Sequence, residues 1–472
     1  MESSKLPSRW DETTDVLVIG SGFAGLAATI EAKNAGSSVI IIEKMKGRGG
    51  NSIISDGNVS VAGSLLQKKD GIEDSPELLY KDMLKAGLGL NYPDLARIVA
   101  ERSKEVLHWT IDYLGVKYKE TVTQFGGHSV PRTHITYNQS GSGIVRPLLS
   151  KVKELGVEVR THAYLEKLLQ DTDDSVKGII IRDGYVFPDA ESGTPKYIKA
   201  RRAVILTTGG FANDIAFRVS QDPRLTRDVD STNRAGTTAE ALTEAMRICA
   251  TPVHLSWIQL GPWTSPDEKM YGVGPLFADY IVFPYGVMVD PATGRRFVNE
   301  MGDRKTCADS ILNIGTPCVG IADTEGVGQS GQIIDKCLKR GVVKSFNVLE
   351  DLAVAYSIPF EALRETIDRY NGYVRNETDE EFGKPILKGS KPMVNPPYYG
   401  VRLWPKVHYT MGGIQINTKA QVIDLNHQPI ERLYAAGEVT GGVHGACRLG
   451  GLSITECLIF GRIAGRNAAQ ER

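Results

Sequence analysis

The stretch that decides the fold is DVLVI, residues Asp15–Ile19, followed at once by GSGFAG, residues Gly20–Gly25. An Ala-rich segment of helical composition, Leu26–Asn34, comes next, and a second apolar run, Val39–Ile42, ends at Glu43. Strand, glycine turn, helix, strand and acid are typical of the βαβ unit that binds a dinucleotide. Its glycines permit the tight turn and close approach to a pyrophosphate, the helix N-terminus faces the phosphates, and the acid accepts hydrogen bonds from a ribose. The sequence therefore predicts a dinucleotide site here.

Composition narrows the class of protein. The chain has 472 residues, which implies two domains or one elaborated domain. Its 50 glycines are about 11% of the residues, against roughly 7% in average proteins, so the excess is expected at particular turns. Lys plus Arg number 55 and Asp plus Glu 56, with both signs interspersed. Such a balance provides no electrostatic footprint for nucleic acid or an anionic membrane, and neither is expected as a partner.

The cysteines and the N-terminal segment exclude further classes. Six cysteines occur without a CxxC or CxxCH spacing, so a zinc ribbon, an ordinary iron–sulfur cluster and a c-type haem are not expected, and no metal site is predicted. The segment Met1–Glu12 is polar and lacks a secretory signal, and there is no apolar run of about twenty residues. We expect a cytoplasmic protein without a membrane span, although a truncated export form would look the same.

Secondary-structure patterns indicate one domain interrupted by another. Apolar runs predict strands at Val157–Leu168, Gly178–Arg182, Ala203–Thr207 and Leu433–Ala436, and helical patterns occupy Ile144–Leu155 and Ser453–Ala469. Between about residues 252 and 406 the pattern is irregular. We therefore predict a nucleotide-binding domain over residues 1–254, an inserted domain over 255–405, and a return to the first domain over 406–472.

Motifs spread over nearly the whole chain resemble those of one flavoprotein family. They are GSGFAG with Glu43, RGGNS at Arg48–Ser52, the stretch Gly126–His134, GRRFVNE at Gly294–Glu300 with Arg304, HYTMGG at His408–Gly413, Gly437–Gly445, and RLGG at Arg448–Gly451. In this order they resemble the fumarate reductases and succinate dehydrogenases, specifically the soluble, flavocytochrome-type branch. The resemblance implies an α/β fold with a Rossmann-like FAD-binding domain and an inserted α+β capping domain that closes over the flavin.

The resemblance also implies which residues hold the cofactor, which is expected to be FAD. They are Gly20, Gly22, Phe23, Ala24, Gly25, Glu43, Lys44, Gly49, Gly50, Asn51, Ser52, Asp56, Gly57, Ala163, Thr208, Gly209, Gly210, Gly413, Gly437, Glu438, Arg448, Gly451, Leu452, Ser453 and Ile454. Glycine is favoured at many of them because backbone must approach a large flat ring closely.

Reduction of an alkene conjugated to a carboxylate needs a hydride, a proton and stabilisation of the charge that builds on the carbonyl side. In the family the flavin supplies the hydride. The resemblance implies that Arg304 donates the proton, and that Arg448 and His408 bind the substrate carboxylate, Arg448 through its planar fork. His128, His134 and His444 are expected near the flavin or in supporting hydrogen bonds, with no catalytic role.

The sequence departs from fumarate reductases in the inserted domain. Gly261 stands where a histidine helps to hold the second carboxylate of fumarate, and FADYI at Phe277–Ile281 replaces a glutamate and arginine that relay protons. We therefore predict a substrate site that includes Asp279, Tyr280, Tyr271, Gly261 and Trp263. Because glycine leaves space and the neighbours are aromatic, the expected substrate is a monocarboxylate enoate with a bulky or aromatic substituent, such as urocanate or cinnamate, rather than fumarate.

Other functions compete with this prediction. A 3-ketosteroid dehydrogenase or reductase shares the FAD fold but needs tyrosines as acid and base and no arginine pair. Fumarate reductase proper is a second alternative, and a flavin module that only transfers electrons is a third. The chain has no haem motif and no second Rossmann unit. Electrons are therefore expected from a separate protein, a reduced flavin or another donor.

Overall fold

The structure, a computed structural model, describes residues 6–471. Residues 1–5 and residue 472 lie outside this range. The expectation that the N-terminal segment carries no export signal rests partly on residues 1–5. The strands are β1 Glu12–Ile19, β2 Val39–Ile42, β3 Asn58–Ser60, β4 Tyr118–Thr123, β5 Thr133–Thr136, β6 Val159–Arg160, β7 Ala163–Gln170, β8 Val176–Asp183, β9 Thr194–Leu206, β10 Pro252–Val253, β11 Ile258–Gly261, β12 Val287–Val289, β13 Cys318–Asp323, β14 Val343–Phe346, β15 Tyr398–Leu403, β16 Lys406–Thr410, β17 Gly413–Gln415, β18 Gln421–Ile423, β19 Pro429–Ala435 and β20 Thr440–Gly441.

The helices are α1 Phe23–Asn34, α2 Leu65–Lys69, α3 Pro76–Ala86, α4 Pro93–His108, α5 Ser142–Glu154, α6 Ile215–Gln221, α7 Glu240–Arg247, α8 Gly274–Phe277, α9 Phe283–Tyr285, α10 Arg304–Ile314, α11 Thr324–Ser330, α12 Asp335–Lys339, α13 Leu349–Ala355, α14 Phe360–Arg375 and α15 Leu452–Gln470. Short π-helical segments at Trp109–Tyr113 and Ala278–Val282 and a 3₁₀ turn at Ser52–Ile54 complete the regular structure.

A parallel sheet forms the first layer of the fold. Its strands lie in the order β6, β2, β1, β9, β19, all parallel, with β18 antiparallel at the edge beside β19. The apolar run of β1 pairs with both neighbours, and Leu17 and Val18 are fully buried because helices cover both faces of a parallel sheet. The N-terminal half of β9 continues into the antiparallel meander β7–β8–β9. The predicted α/β fold with a parallel-sheet core is confirmed.

The carboxyl ends of four parallel strands meet at one edge of this sheet. β1 is followed by Gly20, β2 by Glu43, β9 by Thr207 and β19 by Ala436. Ligands of open α/β sheets bind beyond the carboxyl ends of the strands, so this edge is where a site is expected.

The first and last helices pack against each other with almost no side chain between them. A Cβ placed on Gly461 of α15 would lie 2.4 Å from the carbonyl oxygen of Ala24 in α1, and one on Gly465 would lie 2.3 Å from that of Ala28. Buried Glu31 of α1 accepts hydrogen bonds from Arg462 and Arg466 of α15 at 2.6 and 2.8 Å. Backbone proximity and this charge cluster together fix α15 on α1.

Residues 287–403 contain a second sheet with a core of its own. Strands β12, β13, β15 and β14 are antiparallel neighbours, with α13 and α14 on one face. The GRRFVNE motif lies here as a structural element: Arg296 donates to Glu300 and to Asp379 at 2.7 and 2.8 Å, with Lys384 3.6 Å from Glu300. Such a buried network fixes the turn that leads to Arg304.

One predicted strand is divided. The run Val157–Leu168 forms two strands, β6 and β7, because the chain turns between them at His162, whose φ is 56°. β6 joins the parallel sheet, whereas β7 pairs with β8.

Within residues 6–471, no helix is both long and apolar enough to cross a membrane.

Replacing Gly465 with Ala is expected to lower the free energy of unfolding by about 1–3 kcal/mol, because the methyl group overpacks the contact with α1. Gly372, on α14, is the matched control. A Cβ there meets open space, so Gly372→Ala should stabilise the protein by about 0.5–1 kcal/mol through helix propensity. Urea denaturation followed by circular dichroism measures both changes. Equal effects in the two variants would contradict the close α1–α15 contact.

Candidate active site

A large cleft opens at the carboxyl edge of the parallel sheet and extends to the inserted region. Its empty volume, which includes space open to solvent, is about 1710 Å³. Twenty of the predicted cofactor residues line it: Gly20, Gly22, Phe23, Ala24, Glu43, Lys44, Gly50, Asn51, Ser52, Asp56, Gly57, Ala163, Thr208, Gly209, Gly437, Glu438, Arg448, Gly451, Ser453 and Ile454. The lining runs from the glycine turn at Gly20 to Trp263 and Arg304, so a dinucleotide region and the predicted substrate residues share one cleft.

The glycine turn fits a dinucleotide. A Cβ on Gly20 would lie 2.4 Å from the carbonyl oxygen of Thr207, and one on Gly25 would lie 1.9 Å from that of Gly20, so the turn depends on both glycines. Gly22 precedes α1 and offers no side chain to cap it. At Gly50 and Gly209 a Cβ would meet only open space at the cleft wall. The turn therefore leaves backbone and a helix N-terminus facing the cleft.

Glu43 is held in place by its neighbours. Its Oε2 accepts a 2.7 Å hydrogen bond from the Ser21 hydroxyl, and its Oε1 accepts one from the Met45 amide at 3.0 Å. The Ser21 hydroxyl in turn accepts from the Gly49 amide at 2.9 Å. This network positions the acid at the end of β2, as the sequence predicts for a ribose contact.

Five predicted cofactor residues do not line the cleft: Gly25, Gly49, Gly210, Gly413 and Leu452. They act through packing. A Cβ on Gly210 would lie 2.0 Å from Thr410 Oγ1 and 2.6 Å from a Glu438 oxygen, so Gly210 gives these two polar groups room. One on Gly413 would lie 2.1 Å from the carbonyl oxygen of Val439. Their contribution to the site is indirect because each lets a lining segment come close.

Sequence reasoning missed the segment 232–241, which forms one wall of the cleft. The Asn51 amide connects it to the glycine-rich loop: it donates to Asn233 and Thr237 at 2.5 and 3.0 Å and accepts from the Arg234 amide at 2.9 Å. In the sequence this segment is marked only by polar residues around Gly236, and such runs also occur in ordinary loops.

Two buried carboxyl groups lie beside the strand ends. Burial raises the pKa of Glu438 to about 7, although hydrogen bonds from Thr410 lower it, and the Thr410 amide donates to it at 3.0 Å. Burial raises the pKa of Glu456 to about 8, and neither of its oxygens has a hydrogen-bond partner within the described residues. Glu438 lines the cleft directly, whereas Glu456 lies behind it.

Arg304 and Arg448 enter the same part of the cleft. Arg304 begins α10, whose N-terminus is capped by Asp303, and its guanidinium lies 5.4 Å from the Trp263 ring. Arg448 is 4% exposed and lies 4.6 Å from the Tyr409 ring. Burial and the charge of Arg304 lower the pKa of Arg448 to about 10. Among residues 6–471, no carboxylate forms an ion pair with either arginine, and one N–H nitrogen of each, Arg304 Nη1 and Arg448 Nε, has no acceptor.

His408 orients Arg448. Its Nε2 is 3.1 Å from Arg448 Nη2, and its Nδ1 is 2.8 Å from Thr232 Oγ1. A guanidinium only donates, so Nε2 accepts and the proton lies on Nδ1, which donates to Thr232. Burial and the charges of Arg304 and Arg448 hold the pKa of His408 well below its usual range. His408 was predicted to bind the substrate carboxylate, but in this arrangement its Nε2 accepts a hydrogen bond from Arg448. Thr232, the partner of its Nδ1, was not predicted.

The space expected at Gly261 is filled. A Cβ there would lie 3.0–3.2 Å from three atoms of the Trp263 indole, and Gly261 does not line the cleft. Trp263 is 2% exposed, packs edge-on against His408 at 4.7 Å, and has no acceptor for its Nε1 within the described residues. The argument for a roomy site was wrong because the indole occupies the volume that the missing histidine side chain would take.

The remaining predicted substrate residues form a cluster behind Trp263. Tyr271 lines the cleft, and its hydroxyl donates to Asp56. Tyr280 accepts from Asn58 Nδ2 at 2.7 Å and does not line the cleft. Asp279 also lies off the lining, and burial raises its pKa to about 7 against the charges of Arg304 and Arg448.

His128, His134 and His444 lie outside the cleft lining. His128 Nε2 is 2.9 Å from the carbonyl oxygen of Gly450, and His444 packs edge-on against Tyr409. Burial lowers the pKa of His128 and His444 to about 3 and that of His134 to about 4, so all three are neutral.

Comparison with known proteins identifies the family of the chain. The family described as "FAD binding domain" matches residues 15–454. The acrylate reductase flavoprotein subunit of Shewanella woodyi is 44% identical over 97% of this chain and 92% of its own length. The urocanate reductase of Eggerthella lenta is 32% identical over 96% of this chain and 74% of its own length. The open conformation of a flavocytochrome c3 fumarate reductase superposes with a TM-score of 0.75 at 33% identity, covering 98% of this chain and 79% of that one.

Fold, cleft and relatives together define an FAD-dependent oxidoreductase. The chain belongs to the FAD binding domain family, and within it to the fumarate reductase-type flavoproteins. The predicted family and cofactor are confirmed.

Replacing Gly22 with Ala is expected to weaken FAD binding at least tenfold, because the methyl group enters the cleft where the phosphates approach the turn. Its φ of −73° suits alanine, and the nearest atom to the new Cβ would be Ser52 Oγ at 3.1 Å, so the fold should persist. The ratio of flavin to protein absorbance and the melting temperature of the apoprotein separate the two effects. Gly328→Ala, on a helix with open space around the Cβ, is the control and should retain full FAD content.

Proposed function

We propose that this protein reduces the C=C bond of an α,β-unsaturated carboxylate, and that the substrate is a short monocarboxylate of about the size of acrylate. The observation that carries the proposal is the pair of guanidinium groups, Arg304 and Arg448, in one cleft without a carboxylate partner among the described residues. Buried charges are normally paired. A substrate carboxylate would supply the missing anion.

The free donors suit this anion. Arg448 Nε and Trp263 Nε1 are buried without acceptors, and a carboxylate can accept from two donors at once. His408 accepts from Nη2 of Arg448 and so holds the guanidinium plane in one orientation. An anion beside Arg448 would also favour its charged form, which burial and Arg304 disfavour.

The chemistry follows from these positions. The cleft residues at the strand ends would hold FAD, which when bound and reduced would provide the hydride. Arg448 binds the carboxylate and stabilises the negative charge that develops on it, since positioned donors act most strongly where water is excluded. Arg304, on the same part of the cleft, donates the proton to the α-carbon. His408 acts as a positioning residue in this scheme.

Substrate size is argued from Trp263. The indole fills the place beside Gly261 and packs against His408, which leaves less room for a β-substituent than the sequence suggested. The Shewanella woodyi relative is named for acrylate and is more similar in sequence than the urocanate reductase. Both observations favour a small monocarboxylate over urocanate or cinnamate. Fumarate is disfavoured because glycine replaces the histidine expected at its second carboxylate.

A ketosteroid substrate is less well supported. It needs a tyrosine that ionises to act as a base, but burial raises the pKa of Tyr271, Tyr280 and Tyr409 well above the usual range, and a neutral ketone would leave the two guanidinium groups without an anion. Electrons are proposed to come from a separate donor. The Shewanella woodyi relative is named as a flavoprotein subunit, which favours a protein donor here as well.

Dithionite-reduced enzyme mixed anaerobically with acrylate should reoxidise, and Arg448→Leu should lower kcat/KM for acrylate by about 10²–10³-fold or more because it removes the carboxylate partner. The exposed Arg224→Leu is the matched control and should match wild type. Stopped-flow absorbance of the flavin and product analysis measure this. Turnover of a 3-ketosteroid that survives in Arg448→Leu would overturn the assignment in favour of the steroid enzyme.

Replacing Trp263 with Ala should change the substrate preference. Removing the indole opens space beside Gly261, so kcat/KM for cinnamate relative to acrylate is expected to rise at least tenfold. Trp257→Ala is the comparison, since Trp257 does not line the cleft. Steady-state assays with reduced viologen give the ratio. A wild-type enzyme that prefers cinnamate to acrylate would show that the site is larger than proposed.

A further inference from the structure

Asp56 lies in the cleft close to the arginine proposed as proton donor. It lines the same cavity as Arg304, and its carboxylate accepts a hydrogen bond from the Tyr271 hydroxyl. The Tyr271 ring is 5.5 Å from Trp263, on whose face the Arg304 guanidinium lies at 5.4 Å. This hydrogen bond joins Asp56, which precedes β3, to Tyr271, which precedes α8. The two residues are 215 positions apart in sequence.

The charged and titratable neighbours of Asp56 come from several elements. Burial raises its pKa, while the hydroxyl of Tyr271, the charge of Arg304 and the hydroxyl of Tyr280 lower it, and the net shift is upward. Asp56 in turn contributes to the raised pKa of Asp279. The carboxyl group is therefore protonated over a higher pH range than that of an ordinary aspartate.

A proton donor inside a closed site must regain its proton before the next turnover. Two acids, Asp56 and Asp279, feel the charge of Arg304. They differ in their surroundings. Asp56 lines the cleft and has a hydroxyl partner, whereas Asp279 lies off the lining and no side-chain hydrogen bond joins it to another described residue. Of the two acids, Asp56 is the one that lines the cleft with Arg304 and accepts a hydrogen bond from a hydroxyl group, that of Tyr271.

We propose that Asp56, linked to Tyr271, is the acid that returns a proton to Arg304 after each reduction; this inference rests on the proposed function. Arg304 gives its proton to the α-carbon as the hydride reaches the β-carbon, which leaves a neutral guanidine. The Asp56 carboxylic acid then transfers its proton to that guanidine through one bridging water in the cleft and becomes a carboxylate. Solvent reprotonates the carboxylate by way of the tyrosine hydroxyl, so each turnover consumes one solvent proton.

Comparing the first turnover with steady-state turnover tests the role of Asp56. Arginine is protonated before the reaction starts, so the first reoxidation of reduced enzyme by acrylate needs no relay. In Asp56→Asn loaded with FAD, the ratio of the first-turnover rate to steady-state kcat with saturating reduced viologen should rise at least tenfold above the wild-type ratio. Small buffer acids should restore part of kcat, and Asp56→Glu should retain more activity than Asp56→Asn.

The pH profile provides an independent readout. Wild-type kcat should fall as pH rises through the raised pKa of Asp56, because the acid form is lost, and this limb should vanish in Asp56→Asn. Tyr271→Phe keeps the carboxylate and should raise the solvent isotope effect on kcat. If Asp56→Asn does not retain FAD, first-turnover and steady-state rates are compared in Asp56→Glu and Tyr271→Phe instead, and that comparison decides the proposal. The exposed Asp228→Asn is the matched control.

The outcomes separate the two proposals. If wild-type reduced enzyme does not reoxidise with acrylate, the proposed function fails. If it does and Asp56→Asn sustains wild-type steady-state turnover at every pH, the relay is overturned while the function stands. The relay would also be overturned if Asp279→Asn, and not Asp56→Asn, lost steady-state turnover. It would be overturned as well if Asp56→Asn slowed the first turnover and later turnovers by the same factor.

Discussion

Two guanidinium groups that share one cleft without an ion-pair partner among the described residues are the constraint on which the rest of the site depends. Burial and the charge of Arg304 lower the pKa of Arg448. The chain offsets this cost with aromatic faces, since Trp263 lies beside one guanidinium and Tyr409 beside the other. It also keeps His408 neutral, so that the imidazole accepts a hydrogen bond from Arg448 instead of adding a third charge. The residual electrostatic penalty is relieved by a bound anion, which links substrate binding to the stability of the site.

The scaffold that holds these charges is assembled from distant parts of the chain. Strands β1, β2, β9 and β19 end at one edge, and α15 is fixed against α1 by glycines. Arg304 is delivered separately, at the start of α10, after a buried ion network around Arg296 has fixed the preceding turn. Because the strand ends and Arg304 come from different parts of the fold, their relative position depends on contacts such as the hydrogen bond from Tyr271 to Asp56.

Local patterns made the fold and much of the site predictable. The βαβ unit is contained in about thirty consecutive residues, and its glycines have steric roles that the sequence alone can state. Motif order placed Arg304, His408 and Arg448 in one cleft, as the structure shows. Features that depend on long-range packing were not accessible in this way. The sequence shows that Gly261 lacks a side chain, but only the structure shows that Trp263 fills the space.

The same limit applies to Asp56, Thr232 and the wall at 232–241. The family resemblance implied that Asp56 holds the cofactor, yet its hydrogen bond reaches Tyr271, 215 positions further along the chain. Thr232 fixes the tautomer of His408 across 176 positions, and no periodicity or spacing connects the two. Pairings of this kind follow from how sheets and loops are brought together, not from any local propensity.

The order of strands in the parallel sheet has a consequence for biosynthesis. β9 lies between β1 and β19, and α15 covers α1, so residues 429–470 complete both layers of the domain. A nascent chain that still lacks these residues leaves one edge of β9 and one face of α1 without their partners. The cofactor cradle therefore closes only after residues 429–470 have left the ribosome, and chaperones that shield apolar surfaces have most to protect in that interval.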